Sequence, residues 1–116
     1  MTETFPQNQP LTPAVFHILM ALADGEKHGY SIMKDVEKQT NGKMKLGPGT
    51  LYGSIKRMLA AGLIEESEER PDPAMDDERR RYYRLSSNGQ VVLSEECNRL
   101  DEAVKVARVK QVLVCG

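Results

Sequence analysis

Gly47-Pro48-Gly49-Thr50-Leu51-Tyr52-Gly53-Ser54-Ile55-Lys56-Arg57-Met58-Leu59 is the stretch on which the fold turns. Pro48 suits the first turn of a helix, where its missing N–H leaves no bond unmade. At about 100° per residue, Leu51, Ile55, Met58, Leu59 and Gly62 fall within one arc. Gly49, Thr50, Gly53, Lys56 and Arg57 fall on the opposite arc, small near its start and basic further along. A glycine inside a helix costs up to ~1 kcal/mol relative to alanine, so a helix meant only for solvent would rarely carry two. A helix that lies against a DNA backbone or base edge gains from small residues, which allow close approach. The plainer alternative is an amphipathic surface helix with an incidental glycine.

Upstream, Thr12-Pro13 reads as a helix start, with Thr as N-cap and Pro at the first position. The spacing predicts a helix to about Asp24, stopped by Gly25. Val15, Phe16, Ile18, Leu19, Met20 and Leu22 leave it little polar face, so it is expected to serve both the core and a partner subunit. His17 inside it reads as a packed or partly exposed histidine, not a ligand. A second helix is expected from His28 or Gly29 to Thr40, with Ile32, Met33, Val36 and Thr40 as its core stripe. Lys34 and Lys38 lie on another side, with Tyr30 between them in angle. Asn41-Gly42 supplies a turn, and Lys43 and Lys45 lead into the glycine-bearing helix. Two short helices, a turn and a third helix with a small, basic outer face is helix-turn-helix organisation.

Downstream the period changes. Leu63 to Arg70 is short enough for a strand, and Pro71-Asp72-Pro73 and Asp76-Asp77 mark a loop. From Arg79 to Leu85 residues alternate, with Arg81, Tyr83 and Leu85 on one face and Arg80, Tyr82 and Arg84 on the other. The two runs make a hairpin with a long tip, and a hairpin directly after a recognition helix is a wing. Ser86 or Ser87 can cap a last helix running to about Val112. Along it Leu93, Cys97, Leu100, Val104, Ala107, Gln111 and Val114 follow alternating steps of four and three, the spacing of a coiled-coil seam. A body this small can cover little of so long a helix, which favours pairing with a second subunit.

The chain has 116 residues and a net charge of −1, enough for one domain and not a polycation. The charge is uneven: residues 65–78 hold eight acids and one base, and Arg79 to Arg84 holds four arginines and no acid. A local surface can therefore be far more basic than the whole. Cys97 and Cys115 form no metal-ligand pattern, and no metal or other cofactor is expected; with His17 and His28 they could be ligands only if subunits brought them together. No signal peptide is visible, and the apolar run Ala14 to Ala23 is too short to span a bilayer. The expectation is a cytoplasmic protein with no membrane partner. Glu65, Glu66, Glu68 and Glu69 have no catalytic constellation around them, so an enzyme is not expected.

His28-Gly29-Tyr30-Ser31-Ile32, Gly47-Pro48-Gly49-Thr50-Leu51-Tyr52, Ala61-Gly62-Leu63-Ile64 and Arg81-Tyr82-Tyr83-Arg84-Leu85-Ser86, in that order, resemble the PadR family of bacterial transcriptional regulators. The resemblance covers about Leu11 to Gly89. It implies a winged helix-turn-helix domain that binds operator DNA as a homodimer, usually as a repressor, with a C-terminal helical region making most of the dimer contact. A single last helix makes this chain similar to the short subfamily. Many members carry Ser where Gly47 stands. Short members that sandwich planar drugs use a tryptophan on the last helix, and this chain has no tryptophan, so no ligand is carried over.

The expected fold is mainly α with a small β-hairpin: a flexible arm over 1–11, a winged helix-turn-helix domain over 12–86 and a dimerisation helix over 87–114. Double-stranded operator DNA is the expected partner of a homodimeric repressor. Thr50, Lys56, Arg57 and the backbone at Gly49 and Gly53 would enter the major groove, as base or phosphate contacts. Lys43 and Lys45 add to the basic cluster, and Arg79, Arg80 and Arg81 would hold phosphates. Tyr52 and Tyr30 either reach the DNA backbone or only pack, and for Arg81 packing competes, since it shares a face with Tyr83 and Leu85. The acidic tip is expected to point away from DNA or stay mobile. The dimer interface is expected at Phe16, Met20, Leu93, Cys97, Leu100, Val104 and Ala107. That region is nearly without polar anchors, so either a small hydrophobic effector binds there or the interface is dry and protein abundance controls repression. The alternative class is a winged-helix protein-interaction module that never touches DNA. The acidic hairpin favours it and the cluster of Lys43, Lys45, Lys56 and Arg57 disfavours it.

Overall fold

The computed structural model describes residues 11–67, 70–71 and 79–113. The expected arm before Leu11, the acidic tip over 72–78, and Val114 and Cys115 lie outside the described residues. Helix α1 (Pro13–Ala21) starts where Thr12 Oγ1 accepts the Val15 N–H at 3.3 Å. It ends before Asp24, with Leu22 as its cap. Lys27 caps that end: its ammonium donates to the Ala21 carbonyl at 2.6 Å and pairs with Asp24 and, at 3.2 Å, with Asp35.

Strand β1 (Lys27–His28) follows, too short to leave any period in the sequence. His28 then caps α2 (Gly29–Gln39), its Nδ1 accepting the Ser31 N–H at 3.3 Å. Asn41 and Gly42 turn the chain with φ of +53° and +78°, and the Gly42 N–H closes on the Glu37 carbonyl at 2.7 Å. Thr40 holds the exit, donating to the Val36 carbonyl at 2.8 Å and accepting the Met44 N–H at 3.0 Å. Helix α3 (Pro48–Ala60) begins at Gly47 with no side-chain cap bond, as expected of a glycine there.

The wing has two parts. Strand β2 (Ile64–Glu66) pairs antiparallel with β5 (Tyr82–Leu85), and β5 also pairs with β1, giving the order β1-β5-β2. Further out, β3 (Arg70–Pro71) pairs with β4 (Arg79–Arg80). Alternation places Tyr82 and Tyr83 on opposite faces, yet both are buried. Tyr83 joins the core, and the His28 ring packs edge-on against Tyr82 at 5.4 Å.

Helix α4 (Ser87–Val109) is capped by Ser86, whose Oγ accepts the Gly89 N–H at 2.9 Å. It stops short of Val112 because Gln111 takes a left-handed φ of +63°, and the Val112 N–H returns to the Ala107 carbonyl at 2.8 Å. Its root is tied down: the Ser86 N–H donates to the Leu63 carbonyl at 3.1 Å and the Ser86 hydroxyl to the Gly62 carbonyl. A single core joins Ile18 and Leu19 of α1, Ile32 and Val36 of α2, Leu51, Ile55 and Met58 of α3, and Leu93 of α4. Each such fully buried side chain contributes ~1.5–3 kcal/mol.

Candidate nucleic-acid interface

The inward arc of α3 is as read: Leu51, Ile55 and Met58 are buried and Leu59 half-buried. Gly49, Thr50, Lys56 and Arg57 are exposed on the outer side, with Gly53 half-buried beside them. A Cβ at Gly49 would meet nothing within 4 Å, and one at Gly53 would meet only the Arg57 Nη1 at 3.9 Å. Packing within the chain therefore does not require either glycine. Lys43 and Lys45 are exposed on the loop that delivers α3.

Tyr52 settles into a bracing position. Its ring lies so close over Gly29 that a Cβ there would overlap the phenol oxygen. The residue is still 46% exposed, so it braces α2 against α3 while remaining open to solvent. Tyr30 is also exposed, and the Lys34 ammonium sits 5.6 Å from its ring centroid. That contact joins an α2 lysine to the same side of the helix as Tyr30.

On the wing, Arg81 is exposed and its Nε lies 3.6 Å from Glu66 Oε1. Arg84 donates to Glu65 at 3.0 Å across the β2–β5 ladder. Burial pushes the Tyr83 phenol above its ordinary pKa, and the nearby Glu66 carboxylate and Tyr52 push the same way against Arg81. The side chains of Arg79 and Arg80 lie outside the described residues.

The seam on α4 divides. Leu93 is buried in the chain's own core and Cys97 is half-buried against it. Leu100 and Val104 are 39% and 36% exposed, and Ala107 is half-buried. Phe16 and Met20 of α1 are half-buried. Phe16 and Leu100 meet in a hollow of about 280 Å³ shared with Leu11, Pro13, His17, Glu96 and Arg99. The hollow is more polar than the sequence suggested. Glu96 is only 7% exposed, and Arg99 donates to its two oxygens at 3.1 and 2.6 Å. Those bonds hold the Glu96 carboxyl below the usual carboxylate range.

The sequence matches the model of the PadR-like transcriptional regulator family over residues 18–95. The chain belongs to that family. It is 34% identical over 89 residues to the transcriptional regulator Rv3488 of Mycobacterium tuberculosis, covering 77% of each protein. It is 38% identical over 81 residues to an uncharacterised 37.1 kDa protein of a Streptomyces fradiae transposon, spanning 70% of this chain and 21% of that protein's length. A PadR family regulator from Clostridium difficile superposes with a TM-score of 0.71 at 24% identity, over 86% of this chain and 99% of that one. Bacillus subtilis PadR, solved in complex with operator DNA, superposes with a TM-score of 0.60 at 20% identity, over 70% of this chain and 44% of that one. At these identities the two structures speak for the fold, which is the winged helix of PadR regulators. In this PadR-like chain the family match ends at Glu95, just before the half of α4 that the body leaves uncovered. Among the described residues no helix is long and apolar enough to cross a membrane.

Four residues escaped the sequence reading of the site in whole or in part. His28 was read as a helix start, but its cap bond and its edge-on packing against Tyr82 were not foreseen. Gly89 gave no signal, because its neighbour Leu63 is distant in sequence. Glu66 and Glu96 each belonged to a charged run in which no member stood out.

Proposed function

We propose that this PadR-like regulator is a cytoplasmic homodimeric repressor that binds double-stranded operator DNA with the outer face of α3 in the major groove. The open surface at Gly49 and Gly53 carries the reading. Two helix-weakening residues stand where no packing among the described residues requires them, beside exposed Thr50, Lys56 and Arg57. Lys43, Lys45, Tyr30 and Arg81 would hold phosphates around that face, with Arg79 and Arg80 further out on the wing. Bacillus subtilis PadR, of the same fold, was solved on operator DNA, which supports the same partner here. Leu100, Val104 and Ala107 would pair with a second copy, flanked by Phe16, Met20 and Cys97. The hollow at Phe16 and Leu100 would sit at that interface. Release would come either from a small hydrophobic effector at the apolar part of the interface or from the protein's own abundance. Such an effector would shift the spacing of the two α3 helices, about 34 Å apart when they read two half-sites. The Glu96–Arg99 pair disfavours the hollow itself as a purely apolar site.

The test is recovery of bound fragments from random DNA with the purified protein. A palindromic consensus whose binding weakens steeply with salt is the expected result. Failure to enrich any sequence, with no salt-dependent affinity, would overturn the reading in favour of a protein-interaction module.

A further inference from the structure

We infer that Glu66 is a brake on the wing, competing with DNA phosphate for the Arg81 guanidinium. The inference rests on the DNA-binding reading of α3. Glu66 lies opposite Tyr83 in the β2–β5 ladder, and Tyr83 is buried on the core side of the sheet. Alternation continued back from β5 puts Arg81 on the same face as Tyr83, so the Glu66–Arg81 pair lies on that side of the sheet, with both side chains open to solvent. Residue alternation puts the neighbouring pair, Glu65–Arg84, on the other side of the sheet.

The Arg81 side chain is 63% exposed and that of Glu66 is 40% exposed, so a phosphate can approach both. A phosphate that takes Arg81 must draw it from Glu66 or settle beside the carboxylate. Either course lowers the gain from the contact. Exposed ion pairs are weak, so the brake reduces affinity without abolishing it. Glu66 is thus a positioning residue: it is one competitor for Arg81's charge and lowers what the wing offers.

The experiment measures binding of the full chain to a fluorescein-labelled random-sequence duplex of about 30 base pairs, long enough for two half-sites one turn apart. Wild type, Glu66→Gln, Glu65→Gln, Arg81→Ala and the Glu66→Gln/Arg81→Ala double variant are compared across a potassium chloride series. Circular dichroism confirms that each is folded. Glu66→Gln is expected to bind about two- to five-fold tighter. Its log–log salt dependence should be steeper by about one. Glu65→Gln changes net charge equally and should gain less, and Arg81→Ala should remove the gain from Glu66→Gln. Equal gains at Glu65 and Glu66, a gain that survives Arg81→Ala, or no gain while wild type binds would each overturn the brake alone. No salt-dependent binding by any of the proteins would overturn the DNA-binding reading, and the brake with it.

Discussion

At Gly89, on the first turn of α4, a Cβ would overlap the backbone carbonyl of Leu63, whereas on the outer face of α3 a Cβ at Gly49 would meet open space. The first glycine is explained from inside the molecule. It lets α4 begin against the end of α3, where Ser86 also bonds to the Gly62 and Leu63 carbonyls. The second meets no atom of the described residues, and under the DNA-binding reading its reason lies outside the chain. The apolar residues of α4 divide in the same way. Leu93 is 5% exposed and belongs to the core, while Leu100, two turns on, is 39% exposed. Residue type alone does not separate a structural position from an interface position, and the near neighbours do.

The largest test of this division is Leu100→Asp. If the free half of α4 faces a second copy, an unpaired carboxylate there should cost about 2–5 kcal/mol of association. Sedimentation should then show monomer with a native circular dichroism spectrum and loss of DNA binding. A dimer that persists would mean that the free half is not the interface. Leu93→Asp should instead unfold the chain, since it places a charge in the core.

Gly89→Ala probes the other side of the comparison. The new Cβ meets backbone, which cannot swing away, so overpacking should cost about 1–3 kcal/mol in thermal denaturation. An unchanged melting temperature would mean that α4 can shift freely on the body. Gly29→Ala should cost less, because the atoms it meets belong to the Tyr52 side chain, which can move.

Where one local rule decided an element, the sequence read well. Thr12 and Ser86 act as N-caps, Pro48 opens α3, and the arc of Leu51, Ile55 and Met58 faces inward. Where two distant segments decided together, it did not. Strand β1 exists because Lys27 and His28 meet Tyr83 and Tyr82, and two residues leave no period to read. The end of α1 is capped from a distance, by Lys27 reaching back to the Ala21 carbonyl, which no local pattern announces. The seam of α4 read as one continuous stripe, since the pattern carries no mark of where the body stops covering it. Basic candidates on α3 were visible from their angle alone. The engagement of Arg81 with Glu66 was not, because it depends on the register of β2 against β5.

Lys56→Ala and Arg57→Ala sharpen the comparison on α3 itself. Both residues are exposed, so Lys56→Ala should not alter the melting temperature appreciably. Arg57→Ala also removes a long 3.4 Å bond to the buried Ser54 hydroxyl and should lower it slightly. Loss of a guanine contact should cost ~1–3 kcal/mol at one base position, and loss of a phosphate contact should weaken all sequences alike. Gel shifts on a panel of single-base operator variants separate the two. If neither substitution changes affinity, the outer face of α3 does not meet DNA.

The smallest expected effect cuts deepest into the comparison. Gly53→Ala adds one methyl group to the outer face of α3, where among the described residues it meets the Arg57 guanidinium at 3.9 Å, an ordinary contact. Alanine is the better helix former, so the free protein should become more stable by up to ~1 kcal/mol. If a DNA backbone or base edge comes close at this point, the same methyl group should weaken binding. Stability and affinity would then move in opposite directions, which a merely structural glycine could not produce. Thermal denaturation of the free protein and a gel shift on the selected operator measure the two quantities. A rise in stability with unchanged affinity would leave Gly53 an incidental residue on a solvent face. A fall in stability would mean that the chain itself needs the glycine, and the contrast between α3 and Gly89 would disappear.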